Sequence, residues 1–113
     1  NLGLLNAKQR KLSEAYTLLR PYADVNSAIA ALSVNKNDEA KQIIEGVQAT
    51  TPVAEYVRSM ISARFGDTAT FYKHIVDAVI DSKLHNRAKT EVDFLPYHNE
   101  QRFINIITNG KED

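Results

Sequence analysis

The sequence predicts an all-α fold: antiparallel helical hairpins stacked into a short right-handed α-solenoid and closed by a C-terminal helical cap. Three observations carry this expectation. Apolar residues recur at helical spacing along the chain, as in Val25, Ala28, Ile29 and Leu32, and no stretch alternates apolar and polar residues as a half-buried strand would. The few glycines and prolines fall where helices should start or stop. A 12-residue interval between small residues occurs twice, from Gly3 to Ala15 and from Ala28 to Ala40, and it puts one small side chain on each of two successive short helices. Repeats of that kind bury a continuous core by stacking, and they commonly present a surface to a partner.

Taken in order, periodicity and breakers predict helices over 2–10, 12–20, 25–35, 38–46, 52–65 and 68–85, a helical turn at 86–91 and a last helix at 99–108. Pro21 cannot continue the helix that carries Leu12, Ala15, Tyr16 and Leu19, because its ring removes a backbone donor and restricts Arg20. Asp24, Asn37 and Asp67 are candidate N-caps, since a short polar side chain can accept from the free N–H groups of a first turn. Ala40, Ile43, Ile44 and Val47 make the next apolar stripe. Gly46 and Gly66 suit the left-handed position just past a helix end. Thr51 followed by Pro52 reads as an N-cap with proline at the first helical position, ahead of the stripe Val53, Tyr56, Val57, Met60 and Ile61. Short connections set successive helices antiparallel, which gives about three hairpins over 1–85, the first truncated at its N-terminus, and a capping segment over 86–113.

The helix expected at 68–85 carries two apolar arcs. Phe71, Ile75, Ala78 and Val79 form one, and Ile80 and Leu84 lie on a separate flank. A surface helix needs a single stripe. The second flank is therefore expected to lie under the tail, where Phe94, Leu95, Tyr97, Phe103, Ile106 and Ile107 supply apolar area.

The 113 residues are enough for one small core. Fourteen basic and fourteen acidic side chains cancel, so the chain lacks the broad positive field that nucleic acid attracts, and Lys8, Arg10, Lys11 and Arg20 read as a solvated face. Cysteine is absent, which removes disulfides and thiolate metal sites. No apolar run approaches the roughly 20 residues of a membrane span, so no direct membrane insertion is expected. The start at Asn1, without an initiator Met or a signal peptide, reads as a piece of something longer.

At these positions the chain resembles tetratricopeptide repeats in divergent, shortened form. Leu2-Gly3 and Ala15 match a first repeat, Ala28 and Ala40 a second with Asn37-Asp38 near its turn, and Gly66-Asp67 the turn of a third. In that third repeat Ser59 stands for the glycine and Phe71 for the small residue. The steps from Ala15 to Ala40 and from Ala40 to Phe71 are 25 and 31 residues, against a usual period of about 34. The ending, Arg87-Ala88-Lys89 through Glu91, Asp93-Phe94 and Asn99 to Phe103, is similar to the segment that closes such arrays in some bacterial multidomain envelope proteins, beside a peptidoglycan-binding, OmpA-like domain. The resemblance implies a non-enzymatic protein-binding or scaffolding module of a larger bacterial protein, periplasmic or outer-membrane-associated, with the cytoplasm as the alternative compartment. A purely architectural spacer packing against other domains of its own chain is the alternative function, and a metal-dependent enzyme a remote one.

The resemblance also implies a concave groove lined by first helices, at Leu4 and Lys8, Ile29 and Ser33, then Tyr56, Met60 and Arg64. Side chains there that packing does not require are free for recognition, which makes Lys8, Ser33, Arg64 and, in part, Tyr56 the candidate partner-binding residues, with a protein or peptide as partner. The family's carboxylate clamp is not reproduced at the matching places. His74, Asp77, Asp81 and His85 fall within about 80° of arc on one helix and have the chemistry of a divalent-ion site. They read better as the solvated face of an amphipathic helix, because ligands along one straight helix seldom converge. No serine sits in a strained elbow, and no glycine motif cradles a phosphate, so neither a catalytic residue nor a cofactor is expected.

Overall fold

The computed structural model describes residues 2–111, with side chains from Gln9 onward. Among them are seven α-helices, two 3-10 helices and no strand. The chain divides into two compact units, Asn1–Gln48 and Ala49–Asp113. The boundary expected at 85/86 falls inside the second.

In the first unit α1 (Leu2–Leu19) is one continuous helix, where a break near residue 11 and hence a hairpin was expected. The 12-residue interval from Gly3 to Ala15 thus lies within a single helix. The physical reason is plain in the run Gln9-Arg10-Lys11-Leu12: all four are good helix formers and none is a breaker. Pro21 does act as expected. α1 stops at Leu19, a 3-10 helix spans Arg20–Tyr22, and Ala23 takes a left-handed φ of 50°.

Asp24 then caps α2 (Val25–Ser33) through a reciprocal box. Its carboxylate accepts from the Ser27 N–H at 2.9 Å, and the Ser27 hydroxyl accepts from the Asp24 N–H at 3.2 Å. The same hydroxyl donates to the Leu19 carbonyl at 2.5 Å, which ties α2 to the end of α1. α2 ends in paired bonds from Asn35 N–H to the Leu32 carbonyl and from Lys36 N–H to the Ala31 carbonyl, with Asn35 left-handed at φ 61°.

α3 (Asn37–Glu45) begins without a side-chain cap, because Asn37 is already helical and Lys36 holds the cap position. Gly46, expected to be left-handed, has φ −84° and continues the right-handed turn. Ala28 on α2 and Ala40 on α3 are both fully buried, so the small pair at 12-residue spacing lies inside the packed unit.

The second unit opens with α4 (Pro52–Phe65). Thr51 caps it, accepting from the Ala54 N–H at 3.3 Å, and Gly66 closes it with φ 73°, a conformation that strains any residue with a Cβ. Asp67 N–H bonds back to the Ser62 carbonyl, while the Asp67 side chain caps α5 (Thr68–Ala78). Local chemistry therefore specifies this hairpin at both ends and at its turn.

α5 was expected to run on to residue 85. It ends at Ala78, and α6 (Ser82–Ala88) starts afresh, because the Asp81 carboxylate accepts from the N–H groups of Lys83 and Leu84 at 2.9 and 3.1 Å and so offers the backbone a new N-terminus. This break leaves Ile80 in the turn at 77% exposure, not under the tail. A 3-10 helix at Val92–Tyr97 and α7 (Gln101–Asn109) follow.

The tail instead covers the Phe71 stripe. Phe71 stacks on Tyr97 with ring centroids 4.0 Å apart and meets Phe94 edge-on at 5.1 Å, and Phe103 lies at 6.0 Å. Tyr56 and Tyr72 complete the cluster against Phe94 and Tyr97. Offset and edge-on pairs of this kind contribute about 0.5–1.5 kcal/mol each beyond the area they bury.

Candidate functional site

Of the four residues expected to bind a partner, Lys8 and Ser33 lie in the first unit and Tyr56 and Arg64 in the second. Lys8 lies on α1, and its side chain falls outside the described ones. Ser33, at the end of α2, is exposed, with its hydroxyl turned onto the Ala30 carbonyl at 2.6 Å. Tyr56 is a correction: with 2% of its surface exposed it is a core side chain, because its ring packs on Phe94. Arg64 is half-buried, and its Nε donates to Asp93 at 3.1 Å.

Tyr56 and Arg64 belong to a polar clasp that helical spacing does not reveal. The Tyr56 hydroxyl donates to Glu91 at 2.9 Å, and the Arg87 guanidinium lies 5.7 Å from the ring centroid. Tyr72 repeats the arrangement: its hydroxyl donates to Glu100 at 2.5 Å, and Arg102 sits over the ring at 3.9 Å. In each case one segment of the tail supplies both the acceptor for the phenol and the cation for the ring face. Burial, reinforced by the carboxylate alongside, pushes both phenols above the ordinary tyrosine range. Each pair spans about thirty residues of sequence, so helical periodicity carried no sign of it. The usable signal was compositional: a carboxylate and an arginine close together, twice, in an aromatic-rich tail.

The His74, Asp77, Asp81 and His85 arc also dissolves once α5 and α6 separate. Asp81 is a helix cap, and His85 Nε2 donates to the Ile107 carbonyl at 2.7 Å. His74 Nδ1 lies 2.8 Å from Glu55, a carboxylate on α4 that also pairs with Arg58. The two histidines thus link helices, whereas Asp77 is exposed. Among the described residues no three His, Cys, Asp or Glu side chains are grouped as an ion would require. No described helix is long and apolar enough to cross a membrane.

The first unit carries an open surface along α1. Between Gln9 and Leu19 no residue of α1 is buried; Leu12, Ala15, Tyr16 and Leu19 are half-covered and the rest exposed. Tyr16 donates to Glu39 on α3, and that bond, more than burial, raises its phenol. Arg20 reaches the same carboxylate at 2.8 Å. A groove of about 240 Å³ runs between α1 and the end of α2, lined by Gln9, Leu12 and Ser13 on one side and Ser33, Val34 and Asn35 on the other. Its walls offer amides, hydroxyls and two aliphatic side chains, a set suited to peptide backbone and small polar groups. A more open one of about 410 Å³ follows α1 itself past Arg10, Glu14, Thr17 and Leu18, and Ser13 borders both.

Compared with known proteins, the chain matches no family model, no curated protein and no solved structure.

Proposed function

We propose that the chain is a non-enzymatic protein–protein interaction or scaffolding module, and that it meets its partner at the groove beside Ser33. The observation that supports this most is the surface of α1: between Gln9 and Leu19 none of its residues is buried, and a polar groove runs between it and the end of α2. Of the four candidate residues, Ser33 lines this groove. The tetratricopeptide-like reading and the setting in a larger bacterial, envelope-associated protein stand as part of the same proposal, resting on the repeat spacing and on the ending 87–103.

The architectural spacer remains the second reading, favoured by the burial of Tyr56 and the pairing of Arg64. A photo-crosslinking residue at position 33, in the protein expressed in its source cells, separates the two. A discrete adduct with another polypeptide, missing when the crosslinker replaces exposed Lys73, supports the binding module. Adducts confined to the chain's own polypeptide support the spacer, and a diffuse pattern equal at both positions counts against the Ser33 groove.

A further inference from the structure

Asn109 is the last residue of α7 and precedes Gly110, the one Asn-Gly pair in the sequence. Asn109 is exposed, and Gly110 has φ 77° with open space where a Cβ would be. An asparagine amide followed by glycine is chemically labile, because no side chain shields the next backbone nitrogen. That nitrogen attacks the asparagine Cγ, the new N–Cγ bond closes a succinimide, and the side-chain nitrogen leaves as ammonia with the proton given up by the backbone. Water then opens the ring at either carbonyl to aspartate or isoaspartate.

The structure sets a condition on this reaction. The Gly110 N–H donates to the Ile106 carbonyl at 2.8 Å, and Asn109 is helical, a conformation that turns the Gly110 nitrogen away from Cγ. Cyclisation has to wait for the last turn of α7 to open. What holds that turn from outside is His85, whose Nε2 bonds the Ile107 carbonyl from α6.

We propose that Asn109-Gly110 is a site of spontaneous deamidation whose rate is set by opening of the last turn of α7, with His85 as the residue that restrains it. The product weakens the turn that gated its formation. A carboxylate at Asn109 faces the free carbonyls of a helix C-terminus, where negative charge is unfavourable, so conversion loosens the turn further.

The tryptic peptide 103–111, bounded by Arg102 and Lys111, reports the reaction by mass. It also contains an internal control. Asn105 precedes the β-branched Ile106, and its Oδ1 accepts from Gln101 Nε2 at 2.8 Å, so it should stay intact. On incubation at mildly alkaline pH, Asn109 is expected to convert about tenfold more slowly in the folded chain than in urea, the ratio for a turn that opens at roughly 1.4 kcal/mol. His85→Ala should bring the folded rate toward the urea rate, and Asn109→Gln should abolish the mass gain. Exchange of the Gly110 N–H gives a second measure that does not depend on the His85 variant folding: it should speed up in Asn109→Asp within an otherwise protected chain. Equal rates in folded and unfolded chains would overturn the gating, and an intact Asn109 in urea would overturn the site.

Discussion

Among the described residues, the buried apolar side chains of the first unit are four alanines, one leucine and one isoleucine, whereas those of the second include six aromatic rings. Alanines let helix backbones approach closely but bring little apolar area, so the first unit leans on directional groups: the Asp24–Ser27 box and the Glu39 carboxylate shared by Tyr16 and Arg20. The second unit buries large rings around Phe71, then uses the hydroxyls of Tyr56 and Tyr72 to satisfy carboxylates at the cluster's edge. The two regions teach that one helical pattern can be stabilised by caps in one half and by aromatic burial in the other. Their weak points should differ accordingly.

The largest expected effect is at the ring cluster. Phe71 is fully buried, and Phe71→Ala should cost the second unit about 3–5 kcal/mol through lost transfer energy and the cavity left behind. Residue-resolved hydrogen exchange should show protection lost in α4 and α5 while α2 keeps its own. Equal loss in both units would break the comparison. The matching change in the first unit is overpacking: Ala40 is fully buried, and Ala40→Trp should exceed the roughly 3 kcal/mol upper range for added methylenes, measured as a shift of the denaturant midpoint. A small shift there would mean that the alanine contact is loosely packed.

The same contrast appears in how much could be read beforehand. Pro21, Thr51-Pro52, Gly66-Asp67 and Asp24 act through their immediate neighbours, and the helix termini they mark fall within a residue or two of expectation. Features governed by competition between local choices were read wrongly. The Gly3–Ala15 interval suggested a hairpin where good helix formers run unbroken, and Asp81 looked like one more solvated acid on a long helix when it starts a new one. The clasp lay beyond reach for a different reason. Tyr56 with Glu91 and Tyr72 with Glu100 meet only because α4 and α5 fold against the tail, so neither member carries a local sign of the other. The half-covered face of α1 was likewise invisible, since exposure of an amphipathic helix depends on what else packs there.

Titration should give opposite signs at the clasp and at the Asp24 cap. Tyr56 and Tyr72 hold their protons above the ordinary phenol range when folded, so the unfolded chain loses those protons first as pH rises. Their contribution is complete below about pH 10 and declines above it. Phenolate absorbance from the second unit should therefore emerge together with loss of helical circular dichroism; phenolate formation with the helices intact would contradict the clasp. Asp24 is shifted the other way, held low by the Ser27 N–H and then by its hydroxyl. Its stabilisation is present above about pH 3.9 and is lost as pH falls through the lower folded value. The Ser27 amide resonance should titrate with a midpoint below the ordinary aspartate range, and a midpoint at the ordinary value would show that the cap carries no preference for the charged form.

The smallest effect concerns ion pairs, one in each unit. Arg64 and Asp93 have side chains 21% and 18% exposed, against 63% and 24% for Arg20 and Glu39. Solvent screens the second pair more, so a double-mutant cycle should give a coupling of up to about 1 kcal/mol for Arg64–Asp93 and only a few tenths for Arg20–Glu39. Reversal of that order would mean that the contacts of Arg64 with the tail do not hold in solution. Arg64→Ala also tests the location of the proposed partner surface. If recognition lies at the groove of α1 and α2, this variant lowers stability slightly and leaves affinity unchanged, whereas Ser33→Arg fills the groove and weakens binding by about tenfold, or 1.4 kcal/mol. The opposite result, affinity lost in Arg64→Ala and kept in Ser33→Arg, would move the recognition surface to α4 and require that a partner displace Asp93 from its guanidinium.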